Sequence, residues 1–369
     1  AYYVQDFPLL PGPPPGDSAN PFANPTHTQF SKNLTKVLVD HGAPKRFVSF
    51  LKNYDFARSR DVRLVHSLQG KYIEPEKFDQ GGGLASLAKA VASLGFRSGG
   101  TWEIEATGSS IGRYTTTWLA QFLASCSGLH PTTYFTPCVS RPMSLWPSSL
   151  GIPSSKVHLT RETFPLKVVF PTHREVEESH NGIGGGGTIF CPTKNWNDPK
   201  FPKDLFWKGQ SKRDKVAAHT KMREFLLPLR ASRCTEARQD LTSVRLRPDA
   251  VLAKHIPGPL DQSTTADPPV HEGYIYIGSH NLTPSAWGAL QKGSEGPQLA
   301  VNNYELGVIV PIRARSDEDF EEKANALVTY KRPLVPYGSN DKPWMQDAFP
   351  EIFGQKEWKK ASSSSSARK

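Results

Sequence analysis

Apolar residues recur along this chain at two spacings, and the alternation between those spacings predicts its architecture. Phe30, Leu34, Val37 and Leu38 fall on one helical face, and Pro44 opens a second short amphipathic piece through Phe47, Val48 and Leu51. A strand is expected over 62–67 ("VRLVHS"), then a helix over 84–96 ("LASLAKAVASLGF"). Trp102 to Ala106 alternates as a strand does and runs into "TGSSIGRY"; the helix "TWLAQFLASC" follows, its apolar face formed by Trp118, Leu119, Phe122 and Leu123. "LKVVF" (166–170) reads as a strand stopped by Pro171, which has no N–H to continue a ladder. Further strands are expected at "GYIYIGS" (273–279) and "YELGVIV" (304–310), with a helix near 317–329 after the second. Between the two strands, Thr283 is placed to cap a short helix with Pro284 at its first position. Repeated strand–helix alternation predicts an α/β fold: a mixed sheet with helices on both faces.

Four stretches break the pattern. Residues 8–25 ("PLLPGPPPGDSANPFANP") read as a Pro/Gly-rich surface connector, and 182–187 as a flexible glycine turn. The mostly polar segment 231–270 is too long for an ordinary connection and reads as a surface insertion. "KKASSSSSARK" at the end reads as a disordered tail.

Composition narrows the class. Hydrophobic residues at 37% and aromatics at 10% supply a core and argue against wholesale disorder. A formal net charge of +10 favours a polyanionic partner. Between Lys194 and Arg230 there are ten basic and four acidic residues, with Trp196, Phe201, Phe206 and Trp207 among them. That pattern suggests phosphate contacts with bases stacked on rings. Cys126, Cys138, Cys191 and Cys234 are widely separated and read as free thiols. No run of eighteen apolar residues predicts a membrane-spanning helix. The chain starts at Ala1 and reads as a fragment.

Candidate chemistry centres on His219 and Lys221, the chain's one His-x-Lys pair. In an extended strand, side chains two apart leave the same face, so an imidazole and an ammonium can meet one phosphate. The imidazole can move a proton near neutral pH while the ammonium neutralises a nonbridging oxygen. "GSHN" (278–281) directly follows an apolar strand, so the Ser279 hydroxyl and Asn281 amide stand where α/β sites form, beyond the carboxyl ends of strands. Glu305, just inside a later strand, is a polar intruder that could orient His219 or Asn281. His280 is expected to face solvent. Nothing matches an H-E-x-x-H zinc site, a P-loop or a G-x-S-x-G elbow, and the 182–187 glycines lack the Lys-Ser/Thr ending of a phosphate loop.

"HTK" followed by "GSHN" resembles the His-x-Lys and Gly-Ser-x-Asn signature of the phospholipase D superfamily. Leu226 stands where typical members carry an Asp, which resembles the tyrosyl-DNA phosphodiesterase branch. "GSHNLTPSAWGAL", "NNYELGVIV", "VVFPTHREVEES" with "GGGGTI", "GSSIG" (108–112) and "YGSNDKPW" are similar to that family, from "YYVQDFPL" through Trp344. The resemblance implies a phospholipase D-like fold of two pseudo-equivalent halves, each donating a His-Lys-Asn set to a shared cleft. Residues 1–61 would be a remnant of the N-terminal phospholipase D-like domain. Residues 62–358 would be the C-terminal domain with its insertion near 231–270, and 359–369 the tail.

His219, Lys221 and Asn281 match the second set, with Glu305, Ser279 and Ser110 in support; no other histidine is followed two places on by Lys. The implied activity is hydrolysis of the 3'-phosphodiester between a topoisomerase I tyrosine and DNA. It proceeds through a phosphohistidine without metal or cofactor and leaves a 3'-phosphate. Lacking the first set, this chain would supply the general acid/base half-site and be inactive alone. The implied partners are single- and double-stranded DNA with 3'-blocked ends and a topoisomerase I-derived peptide, in nuclear DNA repair, with no membrane and a monomer when complete. The alternatives are another phospholipase D-type nuclease and a non-catalytic DNA-binding remnant.

Overall fold

A computed structural model describes residues 5–10, 27–96, 101–134, 159–216, 249–256, 271–293 and 296–353. Among the described residues ten strands form two sheets: β1 (Arg63–Ser67), β2 (Gly70–Ile73), β3 (Thr101–Thr107), β4 (Leu166–Phe170), β5 (Phe206–Lys208), β6 (Asp249–Ile256), β7 (His271–Gly278), β8 (Ala289–Gly293), β9 (Gly296–Val301) and β10 (Glu305–Ala314). The main sheet runs β1-β10-β7-β6-β3-β4-β5, and β2-β9-β8 form a small second sheet. β3, β4 and β5 are parallel, while β6 is antiparallel to β3 and β7, and β10 is antiparallel to β7 and β1. Five strands (β1, β7, β3, β4, β5) therefore end at one edge of the sheet, where β10 and β6 begin.

Alternation along each strand sends side chains to two cores. From β7, Tyr274 and Tyr276 join Ile104, Val168, Phe122 and Leu87 on one face, covered by helices Leu84–Ala92 and Thr116–Cys126. Ile275 and Ile277 join Leu252 and Ile312 on the other, covered by Phe320 and Ala324 of helix Asp317–Leu327. Helix Gln29–Asp40 lays Phe30 and Val37 on Leu64 of β1. The expected mixed α/β sheet with helices on both faces is what forms. No described helix is long and apolar enough to cross a membrane.

Three expectations need correction. Within 231–270, residues Asp249–Ile256 are not a surface insertion but strand β6 in the interior of the sheet; the sequence around them lies outside the described residues. The apolar run Ala250–Ala253 is only four residues long, is followed by Lys254 and His255 and is flanked by polar stretches, which dilutes the strand signal. The glycines at 182–187 are not a slack turn. Gly182–Gly186 is a 3₁₀ turn whose Gly186 carbonyl accepts from the Trp344 indole at 2.8 Å, and a Cβ at Gly186 would lie 2.2 Å from that ring. Trp196, Phe201 and Phe206 are not a stacking surface for bases: all three are buried, packed edge-on or tilted with one another and with Tyr337. Large rings bury more apolar surface than their charged sequence neighbours, and the charge can be kept at the rim: the Lys203 ammonium lies 5.4 Å from the centroid of the Trp196 ring.

Candidate functional site

Asn281 stands at the carboxyl edge of the sheet, three residues past the end of β7. Its Oδ1 accepts from the Ser109 hydroxyl at 2.8 Å and from the Ser110 backbone N–H at 3.0 Å. Both partners lie in the loop leaving β3, the "GSSIG" segment. A backbone N–H can only donate, so the oxygen end of the amide must face that loop. The NH₂ end is left to donate elsewhere. An amide fixed this way is a donor without charge, suited to a phosphoryl oxygen.

The two loops meet at close quarters because two glycines allow it. A Cβ at Gly108 would stand 2.9 Å from the Leu282 nitrogen, and one at Gly112 would stand 2.8 Å from Cδ of Pro284. Further clamps come from Tyr114, whose hydroxyl donates to the Leu282 carbonyl at 2.8 Å, and from a two-way backbone pairing of the GSSIG loop with Phe190. The Thr283 side chain caps helix Pro284–Trp287 through the Ala286 N–H, as expected, which holds the far side of the turn.

Ser279 is exposed, and its hydroxyl donates to Oε2 of Glu305 at 2.5 Å while accepting from the Leu306 N–H at 3.0 Å. The other carboxylate oxygen of Glu305 accepts from Nδ2 of Asn303 at 2.9 Å. Glu305 thus reaches Ser279 and Asn303 rather than Asn281. Ser110 contacts Asn281 through its backbone N–H, and the hydroxyl that does so belongs to its neighbour Ser109. The repeated serine left the choice between them open to sequence reading. His219 and Lys221 lie outside the described residues.

His280 corrects the solvent-facing expectation, since only 2% of it is exposed. Its ring stacks on Trp287 with centroids 4.1 Å apart, its Nε2 lies 2.9 Å from the Ser67 hydroxyl at the end of β1, and its Nδ1 meets the Tyr276 hydroxyl. Burial holds its pKa well below the ordinary histidine value, with the nearby His66 acting in the same direction. Ser67 and Tyr276 carried no local signal that would mark them as neighbours of the site.

Comparison with known proteins places this chain in a family. The family model described as tyrosyl-DNA phosphodiesterase matches residues 4–343. The Drosophila melanogaster protein tyrosyl-DNA phosphodiesterase 1 is 27% identical over 212 residues, covering 54% of this chain and 30% of that protein. A crystal structure of the yeast tyrosyl-DNA phosphodiesterase is similar in fold, with a TM-score of 0.50 and 17% identity over 86% of this chain and 65% of that one. The chain therefore spans less than a third of the curated relative's length and about two thirds of the yeast structure's. With a family model matching nearly its whole length, the chain belongs to the tyrosyl-DNA phosphodiesterase family.

Proposed function

We propose that this chain carries the general acid/base half of a tyrosyl-DNA phosphodiesterase site. That site would hydrolyse the 3'-phosphodiester between a topoisomerase I tyrosine and DNA in nuclear DNA repair. The observation that carries the reading is the Asn281 amide, oriented by the Ser109 hydroxyl and the Ser110 N–H so that its NH₂ faces away from the protein clamp. A histidine from the complementary half attacks phosphorus, forming a phosphohistidine, while His219 protonates the departing tyrosine oxygen. His219, now neutral, takes a proton from water; that water breaks the P–N bond, leaving a 3'-phosphate and restoring both histidines. Lys221 and Asn281 hold the phosphoryl oxygens as charge builds on them. Tyr304 and Leu306, 62% and 44% exposed, flank Glu305 at the same edge, as a face meant to be covered would require.

A second reading, a DNA-binding remnant without catalysis, is favoured by one fact: His219 belongs to the chain's single His-x-Lys. One assay separates the two. The whole chain is given an oligonucleotide ending in 3'-phosphotyrosine, with EDTA present, alone and together with the N-terminal half of a family member. We expect no turnover alone, because a phosphate neutralised by one wall has no nucleophile positioned opposite it. With the added half we expect turnover that falls by about 10²–10³-fold in Asn281→Ala or Lys221→Ala. Binding that persists without turnover in the mixture supports the remnant. Turnover by the chain alone that disappears in Lys221→Ala overturns the half-site reading.

A further inference from the structure

His280 lies between Ser279 and Asn281 in sequence, yet its own side chain is buried behind the turn. Its hydrogen bonds define one proton arrangement. The Ser67 hydroxyl has a single proton, which goes to the Ala286 carbonyl at 2.7 Å, so Ser67 must accept at its other contact. Nε2 of His280 therefore carries a proton, and Nδ1 accepts from the Tyr276 hydroxyl. The space for that phenol is built in. Gly278 of β7 and Gly307 of β10 are register partners, and a Cβ at either would fall 1.8 Å or 2.3 Å from the Tyr276 oxygen. Three strands and the helix Pro284–Trp287 thus cooperate to hold one imidazole behind the Ser279–Asn281 turn.

We propose that His280 is a positioning residue for the Asn281 amide. Its neutral imidazole, locked as the Nε2–H tautomer between Tyr276 and Ser67, fastens the turn to β7 and β1. The role rests on Asn281 being a phosphate donor. The titratable groups facing the ring are Tyr276 from β7 and His66 from β1; Ser67 and the Trp287 ring complete the enclosure. An imidazolium here would bring a charge into a buried site and turn Nδ1 from acceptor to donor, reversing the hydrogen bond with Tyr276.

The test uses the full chain labelled with ¹⁵N. Long-range proton–nitrogen spectra of the imidazoles from about pH 8 to about pH 5 report tautomer and charge. The side-chain amide of Asn281, assigned by its loss in Asn281→Asp, is followed with and without inorganic vanadate. We expect His280 to stay neutral with Nε2 protonated. We expect His280→Ala to move the Asn281 amide signals and weaken vanadate binding roughly tenfold, the factor that 1.4 kcal/mol carries. His280→Gln, which keeps a donor toward Ser67, should recover most of that loss. If His280→Ala does not fold, the wild-type spectrum and His280→Gln still decide. An imidazole that titrates like an ordinary histidine, a proton on Nδ1, or Asn281 signals unmoved in His280→Ala overturns the proposal. If vanadate leaves the wild-type Asn281 amide undisturbed, the phosphate reading fails instead, and the unliganded spectra still judge the positioning of the turn.

Discussion

An amide can serve a phosphate only if the protein decides which of its ends faces outward. At Asn281 that decision is made by one hydroxyl and one N–H from the GSSIG loop. The buried histidines behind the turn bear on stability. His66, on β1, has its pKa lowered by burial from 6.5 to about 4, and burial also lowers that of His280. In both cases the folded protein binds a proton less readily than the unfolded chain. Their contribution is therefore fully present above about pH 6.5 and is lost as pH falls through the folded values. For His66 the window runs from 6.5 to about 4 and is worth on the order of 3 kcal/mol. Urea unfolding across that range should show stability falling toward acid, with a shallower slope in His66→Gln. Equal stability at both ends of the range would count against neutral, buried imidazoles.

Among the elements, the decisive feature is how closely two loops approach. Gly108 faces the Leu282 backbone and Gly112 faces the ring of Pro284, neither of which is a flexible side-chain end that can swing aside. Gly108→Ala is expected to destabilise the fold by about 1–3 kcal/mol, as added bulk does in a packed contact. It should also detach Ser109 and Ser110 from Asn281. Gly184→Ala is the control: nothing lies within 4 Å of its Cβ position, so it should stay within about 0.5 kcal/mol of wild type. Chemical denaturation of the pair reads the difference directly. If both substitutions behave alike, the close approach of the loops is not what requires Gly108.

For the whole molecule, one buried tie joins the centre of the sheet to the helix and C-terminal segment on one of its faces. Glu105 is a buried carboxylate on β3, and it accepts from Nη2 of Arg332 at 3.1 Å and from the Tyr330 hydroxyl at 2.8 Å. Arg332 also pairs with Glu321 of helix Asp317–Leu327 at 2.5 Å, so one guanidinium joins the central sheet, a helix and the segment that returns toward Tyr337. Arg332→Ala leaves the buried Glu105 carboxylate with the Tyr330 hydroxyl and Lys167 at 3.8 Å, and should cost about 1–3 kcal/mol. Replacing Arg332 and Glu105 together by apolar residues should cost far less. A double-mutant cycle by thermal or urea unfolding measures the coupling, and additive losses would show that the tie does not act as a unit.

What the sequence determined by itself was local. The apolar period marked β4, β7, β10 and the helices near residues 30, 120 and 320, because a strand or helix face needs only its own residues to display it. Thr283 and Pro284 announced the helix start for the same reason. The blocks around Asn281 were enough to point to the family, and Asn281 does stand at the carboxyl edge of the sheet. The tertiary structure decided what depends on distant partners. His280 is buried because Ser67, 213 residues away in sequence, and the rings of Tyr276 and Trp287 converge on it; a histidine after a strand has no local sign of that. Trp196, Phe201 and Phe206 went to the core because ring burial outweighs the lysines beside them, and β6 became an interior strand because β3 and β7 left a place to pair. In the GSSIG loop, backbone geometry assigned the hydroxyl to Ser109 and the N–H to Ser110, a distinction invisible in two identical letters.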